Sequence, residues 1–225
     1  MTTPAEFRRR FLQTEEQQTS EFQKGLDAHI AKANQVRENA NAQIQRIAAR
    51  KDLTPEAKRA AAARVYKPAR EQIQQLLDEH IAKVEAHKQQ LARKAFGSDG
   101  SADPATAMMR RQARQQAMGI QDRRAAEEML REAQFDGDTH LARAVARTAF
   151  ENGWHSVVDQ WNADGSNNAY MKHVVELMQQ PDTSDVTWRF RTAASYASPE
   201  AGPDLLGLRD HEISRAAESG PEVAA

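Results

Sequence analysis

Histidines are the side chains whose spacing first suggests chemistry, because an imidazole can bind a metal ion or transfer a proton. The chain has seven histidines and no cysteine, which excludes disulfides and thiolate metal sites. His80 and His87 lie seven residues apart. On a helix this spacing is two turns, roughly 10 Å, which is too far for two ligands of one ion. No His-Glu-x-x-His pattern occurs, so we predict neither a metal nor a cofactor site.

The nearest approach to a catalytic nucleophile beside a base is the group of His155, Ser156 and Asp159. Neighbouring residues on one helix point apart, so His155 is not placed to activate Ser156. The glycine-containing stretch 97–101 lacks both the lysine and the preceding strand of a phosphate-binding loop. These observations predict that the protein is not an enzyme.

Two arginine groups are candidates for contact with phosphate groups. They comprise Arg8, Arg9, Arg10, Arg110, Arg111 and Arg114. The second group stands out because no acidic residue occurs between Asp103 and Asp122. The overall pI is about 6.7, below the value typical of a dedicated nucleic-acid binder. Non-specific contact with nucleic acid is therefore an alternative function, after protein–protein contact.

A long antiparallel helical hairpin, predicted over residues 1–96, would position most of these side chains. Its first arm is rich in Ala, Gln, Glu and Arg, all of which favour helices. The turn is predicted at 51–55, where Thr54 suits the N-cap of the second arm and Pro55 its first helical position. The second arm has a heptad pattern typical of coiled coils, and Pro68 is expected to kink it.

The apolar stripes of the two arms fit each other. In an antiparallel hairpin, facing residues have numbers with a constant sum, and Ile30 with Leu77 and Leu26 with Ile81 share one sum. The centre that this sum implies falls near residue 53, inside the predicted turn. The predicted seam residues are Phe11, Phe22, Leu26, Ile30, Ile73, Leu77, Val84 and Leu91.

The composition favours elongated helices over one compact globule. Hydrophobic residues are 40% of the chain, aromatic residues only 6%, and the mean hydropathy is −0.79. No apolar run reaches the roughly 18 residues of a membrane span, and the N-terminal stretch lacks the apolar core of a secretory signal. We therefore expect a cytoplasmic protein without a membrane partner or a small-molecule substrate.

The chain after the hairpin is predicted to contain a linker at 97–105, a helical domain at 106–197 and an irregular tail at 198–225. A single helix is predicted over 105–134, with Gly119 as its weak point. Residues 186–191 alternate as a strand does, and a short helix is equally compatible with them. The predicted fold class is all-α: a coiled-coil-like hairpin, a small helical domain and an irregular C-terminal tail.

Charge is divided unevenly along the chain. Residues 1–96 hold 18 basic and 12 acidic residues, a net of +6, and residues 97–225 hold 13 and 20, a net of −7. This asymmetry favours head-to-tail contact between copies or docking on an acidic surface. Chance scatter over solvated faces explains it equally well.

Two resemblances add to this interpretation. Ala146 and Phe150 stand before Asn152-Gly153, and a short apolar helix follows, so residues 139–162 resemble a single tetratricopeptide-type hairpin. This likeness implies a helical packing module. The whole chain, from Met1-Thr2-Thr3-Pro4 to its Pro/Gly-rich tail, resembles the Ala/Arg-rich helical proteins encoded among the head and tail genes of phages that infect high-GC bacteria.

The second resemblance implies a virion component, such as a scaffold, a capsid-associated protein or a head–tail connector piece. We therefore expect a non-enzymatic structural or assembly protein whose partners are other copies of itself or other virion proteins. A cytoplasmic coiled-coil adaptor is the first alternative. A basic-arm protein that makes non-specific nucleic-acid contacts is the second.

Overall fold

The structure, a computed structural model, describes residues 4–97 and 103–219, with side chains from residue 21 onward and up to residue 218. Every regular element in these residues is an α-helix, which confirms the all-α prediction. The helices are α1 (Pro4–Ala49), α2 (Pro55–Phe96), α3 (Pro104–Met118), α4 (Arg123–Phe135), α5 (Thr139–Glu151), α6 (His155–Trp161), α7 (Asn168–Gln179), α8 (Val186–Ala194), α9 (Gly202–Leu205) and α10 (Asp210–Ser219).

Two compact units divide the chain, and they differ from the predicted domains. The first unit combines Met1–Glu85 with Pro181–Ala225, and the second is Ala86–Gln180. The chain after Pro181 thus belongs with the hairpin sequence, whereas the predicted boundary lay at the linker 97–105. Sequence periodicity shows which residues are helical but not which distant segment covers them.

In the first unit, α1 and α2 contact each other at several levels. Near the turn, the Lys58 ammonium donates a hydrogen bond to the Ala48 carbonyl at 2.8 Å. Further along, Ala33 and Ile73 share one apolar cluster with the partly buried Ile30 and Leu77. The numbers rise along α2 as they fall along α1, so these contacts are antiparallel. The Thr54 hydroxyl accepts from the Ala57 amide at 3.2 Å and caps α2 as its sequence suggests.

The predicted seam residues occupy different depths. Leu26, Ile73, Val84 and Leu91 are buried, whereas Phe22, Ile30 and Leu77 are half-buried. The Phe11 side chain lies outside the described residues. Leu76, which the heptad pattern left out, is only 3% exposed. It is buried because Tyr196, from the C-terminal part of the chain, packs in the same cluster as Ala33 and Ile73.

The C-terminal segment packs on an alanine-rich surface of α2. Ala62 and Ala63 are fully buried and form a cluster with Leu205 of α9 and Ile213 of α10. Residues 198–219, predicted as part of an irregular tail, thus contain two helices and two core side chains. The small alanine side chains make this close packing feasible, since a larger residue would hold the helices apart.

Two further expectations about the later helices are resolved by the structure. The single helix predicted over 105–134 is wrong, because α3 ends at Met118 and the Asp122 carboxylate caps a separate α4 by accepting from the Ala125 amide at 2.9 Å. Ile120, between them, is buried and holds the break in place. Residues 186–191, for which strand and helix were both open, lie in α8, and the Asp185 carboxylate caps it.

The second unit has its own core, in which α3, α4 and α6 pack around α5. Leu130, Val145 and Val157 are fully buried there. α5 and α6 form the helix pair that carries the tetratricopeptide-like residues, and Gly153 joins them with a φ of 73°. Among the helices of the described ranges, none has both the length and the apolar character needed to cross a membrane.

A cysteine pair tests the antiparallel contact of α1 and α2. The chain has no native cysteine, so Ile30→Cys with Leu77→Cys gives an unambiguous probe. We expect an intrachain crosslink under mild oxidation or with a short bifunctional reagent, because both residues pack against one cluster. The matched control pairs Ile30→Cys with Gln75→Cys, an exposed position on α2. Crosslinks found only between chains would contradict this packing.

Gly202 tests the docking of α9 on α1. Its φ is +67°, and an added β-carbon would lie 2.5 Å from the Ile44 Cγ2 atom. Gly207 has a φ of +80° and open space around it, so Gly207→Ala should lower the free energy of unfolding by about 1–2 kcal/mol through strain alone. Gly202→Ala should cost roughly 1–3 kcal/mol more, because the methyl group overpacks the contact. Denaturant unfolding measures both, and equal losses would argue against a close approach.

Candidate functional site

An arginine-lined cavity in the second unit is the most distinctive site in the described residues. Its volume is about 510 Å³. The last two turns of α2, one face of α3 and residues 140–147 of α5 surround it. The charged or titratable side chains of its lining are Arg93, Arg110, Arg114, His140, Arg143 and Arg147. We refer to this site below as the arginine cavity.

The end of α2 forms one wall of the arginine cavity. The Phe96 ring lies 5.5 Å from the Phe150 ring and 6.0 Å from the Trp161 ring, centroid to centroid, so the core holds this end of the helix. The Gly97 amide donates to the Arg93 carbonyl at 2.7 Å. A β-carbon at Gly97 would collide with that carbonyl oxygen, so only glycine fits here without movement of the backbone.

Arg143 is the most firmly placed guanidinium of the cavity. Its Cζ atom lies 4.0 Å from the centroid of the Tyr170 ring, a cation–π arrangement. Its Nη1 atom donates to the Gly97 carbonyl at 2.9 Å. Arg147, one turn further along α5, is bonded to Glu151 with 2.8 Å between Nε and Oε1. Two of the five guanidiniums are therefore oriented by neighbouring groups.

The face of α3 supplies Arg110 and Arg114, which are four residues apart and so lie on one side of the helix. The Asp103 carboxylate caps α3 by accepting from the amides of Ala105 and Thr106. The Arg114 Nε atom lies 3.4 Å from the Arg110 carbonyl.

The structure divides the arginines that the sequence singled out. Arg110 and Arg114 line the cavity, and Arg111 does not. The side chains of Arg8, Arg9 and Arg10 lie outside the described residues. Spacing along the chain did not reveal Arg93, His140, Arg143 and Arg147 as part of the site, because they belong to two other helices. The one sequence signal that pointed to this site was the stretch of α3 without acidic residues, which contains Arg110 and Arg114.

The charge of the arginine cavity is strongly positive. No Asp or Glu occurs among its lining residues in the described part of the chain. Arg93, Arg110 and Arg114 have no ion pair with any described carboxylate. The planar fork of a guanidinium matches the oxygens of carboxylate and phosphate groups. The cavity can therefore bind an anion through charge-assisted, bidentate hydrogen bonds.

The histidines make separate contacts in the two units. In the first, the His80 Nδ1 atom lies 2.9 Å from the Tyr196 hydroxyl, and burial, helped by nearby His29 and Lys83, lowers the pKa of His80. In the second, His87 and His173 lie 3.7 and 3.8 Å from the Glu176 carboxylate. Burial is the main cause that lowers the pKa of both.

Over the described ranges, no three His, Asp or Glu side chains are close enough together to hold a metal ion. His155, Ser156 and Asp159 are exposed on α6.

Large apolar side chains on several helices remain exposed and form a second kind of candidate site. In the first unit, α8 has no buried residue, and its Val186 and Phe190 side chains are 80% and 76% exposed. In the second unit, the exposed apolar residues of α3 and α4 are Met108, Met109, Met118 and Phe135. Contiguous exposed apolar surface is typical of sites that contact other proteins.

Comparisons with known proteins add no assignment to these sites. No protein-family model matches the sequence, and no curated protein or solved structure is detectably similar to it. We therefore interpret the arginine cavity and the exposed helix faces from their own chemistry.

The pH dependence of stability follows from the environment of three histidines, of which His80 is buried and His87 and His173 are partly buried. Each has a folded-state pKa below the ordinary value of 6.5, so the unfolded chain binds more protons as the pH falls. The stabilising effect of their neutral forms is complete above pH 6.5 and is lost as the pH falls through the folded-state values. The free energy of unfolding should therefore decrease as the pH falls from 7 to 5.

Urea unfolding of His80→Gln measures the share of this effect that comes from His80. We expect a shallower pH dependence than in the wild type between pH 7 and pH 5. His155→Gln is the matched control, because His155 is exposed. An identical pH dependence in wild type and His80→Gln would contradict the assignment.

Proposed function

We propose that the protein is a non-enzymatic structural or assembly protein that acts through helical protein–protein contacts. The observation that carries this proposal is the exposure of large apolar side chains on α8. A surface helix normally turns its apolar side chains toward the core, yet α8 exposes Val186 and Phe190, four residues apart on one face. We call this pair the α8 face.

The α8 face is held in a defined position. Trp188 is half-buried, with its ring 6.4 Å from the His80 ring, and the Arg189 Nε atom donates to the Thr183 carbonyl at 2.6 Å. A nine-residue helix has little stability of its own, so these contacts fix its orientation. An ordered helix that presents two large apolar side chains outward suits a contact with another protein.

The second unit supports the same proposal through α3 and α4. Met108 and Met118 are 72% and 80% exposed, and Phe135 is 92% exposed. Methionine adapts its shape to varied partners, which is why it is common at contact surfaces. Both units thus offer apolar helix surface, as expected of a protein with more than one neighbour in an assembly.

The finer proposal is a virion component of a phage: a scaffold, a capsid-associated protein or a head–tail connector piece. Its support is the resemblance in composition described above, together with the net charges of +6 and −7 on the two parts of the chain. A cytoplasmic coiled-coil adaptor is the alternative, and co-purification with capsids discriminates between the two. A protein that contacts nucleic acid non-specifically is the third candidate, and salt-sensitive retention on DNA tests it.

Sedimentation velocity across a concentration series tests the assembly proposal. We expect the wild type to form larger species as its concentration rises and Phe190→Ser to associate more weakly, because the variant removes apolar area from the α8 face. Arg191→Ser is the matched control, an exposed residue on the same helix. Contacts between oppositely charged parts should also weaken with salt, since exposed charges are screened beyond about 10 Å at 0.1 M.

Two results would contradict the assembly proposal when found together. One is a chain that sediments as a monomer at every concentration and salt level. The other is the absence of binding to capsid and tail proteins in pull-down experiments with the purified chain.

A further inference from the structure

We propose that the arginine cavity is a binding site for an anion that carries adjacent phosphate groups. This inference goes beyond the assembly proposal and does not depend on it, because it concerns a different surface and a different kind of partner. It rests on the convergence of five guanidiniums from three helices on one cavity of about 510 Å³.

Bringing five guanidiniums together in one cavity costs electrostatic free energy. Like charges in a confined site repel one another, and the described lining offers no carboxylate to neutralise them. On ordinary solvated helices, arginines pair with acids one turn away, as Arg123 does with Glu127 and Arg124 with Glu128. In the arginine cavity, Arg147 has such a pair with Glu151, whereas Arg93, Arg110 and Arg114 have no described ion-pair partner. A bound polyanion would supply the negative charge that these three lack.

Part of the arginine cavity is already oriented before a ligand binds. Arg143 is fixed by the Tyr170 ring and by the Gly97 carbonyl, so little side-chain entropy remains to be lost when it binds a ligand. Arg110, which is half-buried, and Arg93 keep their guanidinium donors free of described ion-pair partners. The site thus combines an oriented donor with others that are available to a ligand.

Chemistry and size together select the class of ligand. The planar fork of a guanidinium matches the oxygens of phosphate groups in bidentate pairs. A single carboxylate brings one charge to a site that holds five guanidiniums, whereas a chain of linked phosphates brings several. The cavity volume lies in the range of small-molecule sites, roughly 300–1,000 Å³, and exceeds the needs of one phosphate group.

Two sources share this chemistry: a nucleoside triphosphate and the backbone of a nucleic acid. We use inorganic tripolyphosphate as the primary probe, because it carries adjacent phosphates and nothing else. Isothermal titration calorimetry with the full chain measures its affinity. A nucleoside triphosphate and a single-stranded oligonucleotide, each tested as a competitor, then identify the source.

The decisive variant is Arg110→Gln with Arg114→Gln, which removes two guanidiniums without touching the oriented Arg143. Its matched control is Arg123→Gln with Arg124→Gln, which removes the same charge from exposed positions of α4 in the same unit. We expect at least a tenfold loss of affinity in the first variant, since charge-assisted hydrogen bonds are the strong ones. The control should stay within about twofold of the wild type.

The outcomes separate cleanly once circular dichroism melting has shown that both variants fold as the wild type does. Competition by the oligonucleotide assigns the phosphates to a nucleic-acid backbone, and competition by the nucleoside triphosphate alone assigns them to a small molecule. Both results support the inference. Absence of tripolyphosphate binding to the wild type would overturn it, as would equal losses in the cavity variant and the control. Failure of the assembly proposal would leave these measurements unaffected.

Discussion

Close packing on the alanines of α2 is the interaction on which the first unit depends. Ala62 and Ala63 have no exposed surface, and Leu205 and Ile213 reach them from the far end of the sequence. Two helices with narrow, alanine-rich stripes bury little area by themselves, so the returning segment supplies apolar contacts that the hairpin lacks. Tyr196 does the same further along α2, where it covers Leu76. The C-terminal segment thus covers part of the surface of α2.

Local signals in the sequence predicted the two long helices, but not every later helix and not which segments pack against them. Thr54 and Pro55 mark the start of α2 because capping is decided by a few adjacent residues. Gly119 was recognised as a weak point, yet the break there also needs the burial of Ile120, which depends on residues far along the chain. The helices of the C-terminal segment were missed for the same reason. Proline and glycine interrupt the apolar periodicity there, and the helices are stabilised by packing on α2.

The candidate sites show the same division between local and non-local information. Arg110 and Arg114 were found because they share one helix and a stretch without acids. Their companions in the cavity come from α2 and α5, and no spacing rule connects residues on separate helices. The exposure of Val186 and Phe190 could not be predicted either, because an alternating pattern does not say whether the apolar side faces the core or the solvent. The candidate sites of this chain thus depend mainly on which helices pack together.

The shape of the arginine cavity depends on the backbone conformation at Gly97. Its amide donates a hydrogen bond to the Arg93 carbonyl in the last turn of α2, and its carbonyl accepts one from the Arg143 guanidinium. A single residue therefore links the end of a helix to a charged side chain. There is no room at this position for even a methyl group. A substitution at Gly97 would therefore change the shape of the arginine cavity and leave all of its positive charges in place. Mutation can thus alter the geometry of the site and its charge independently.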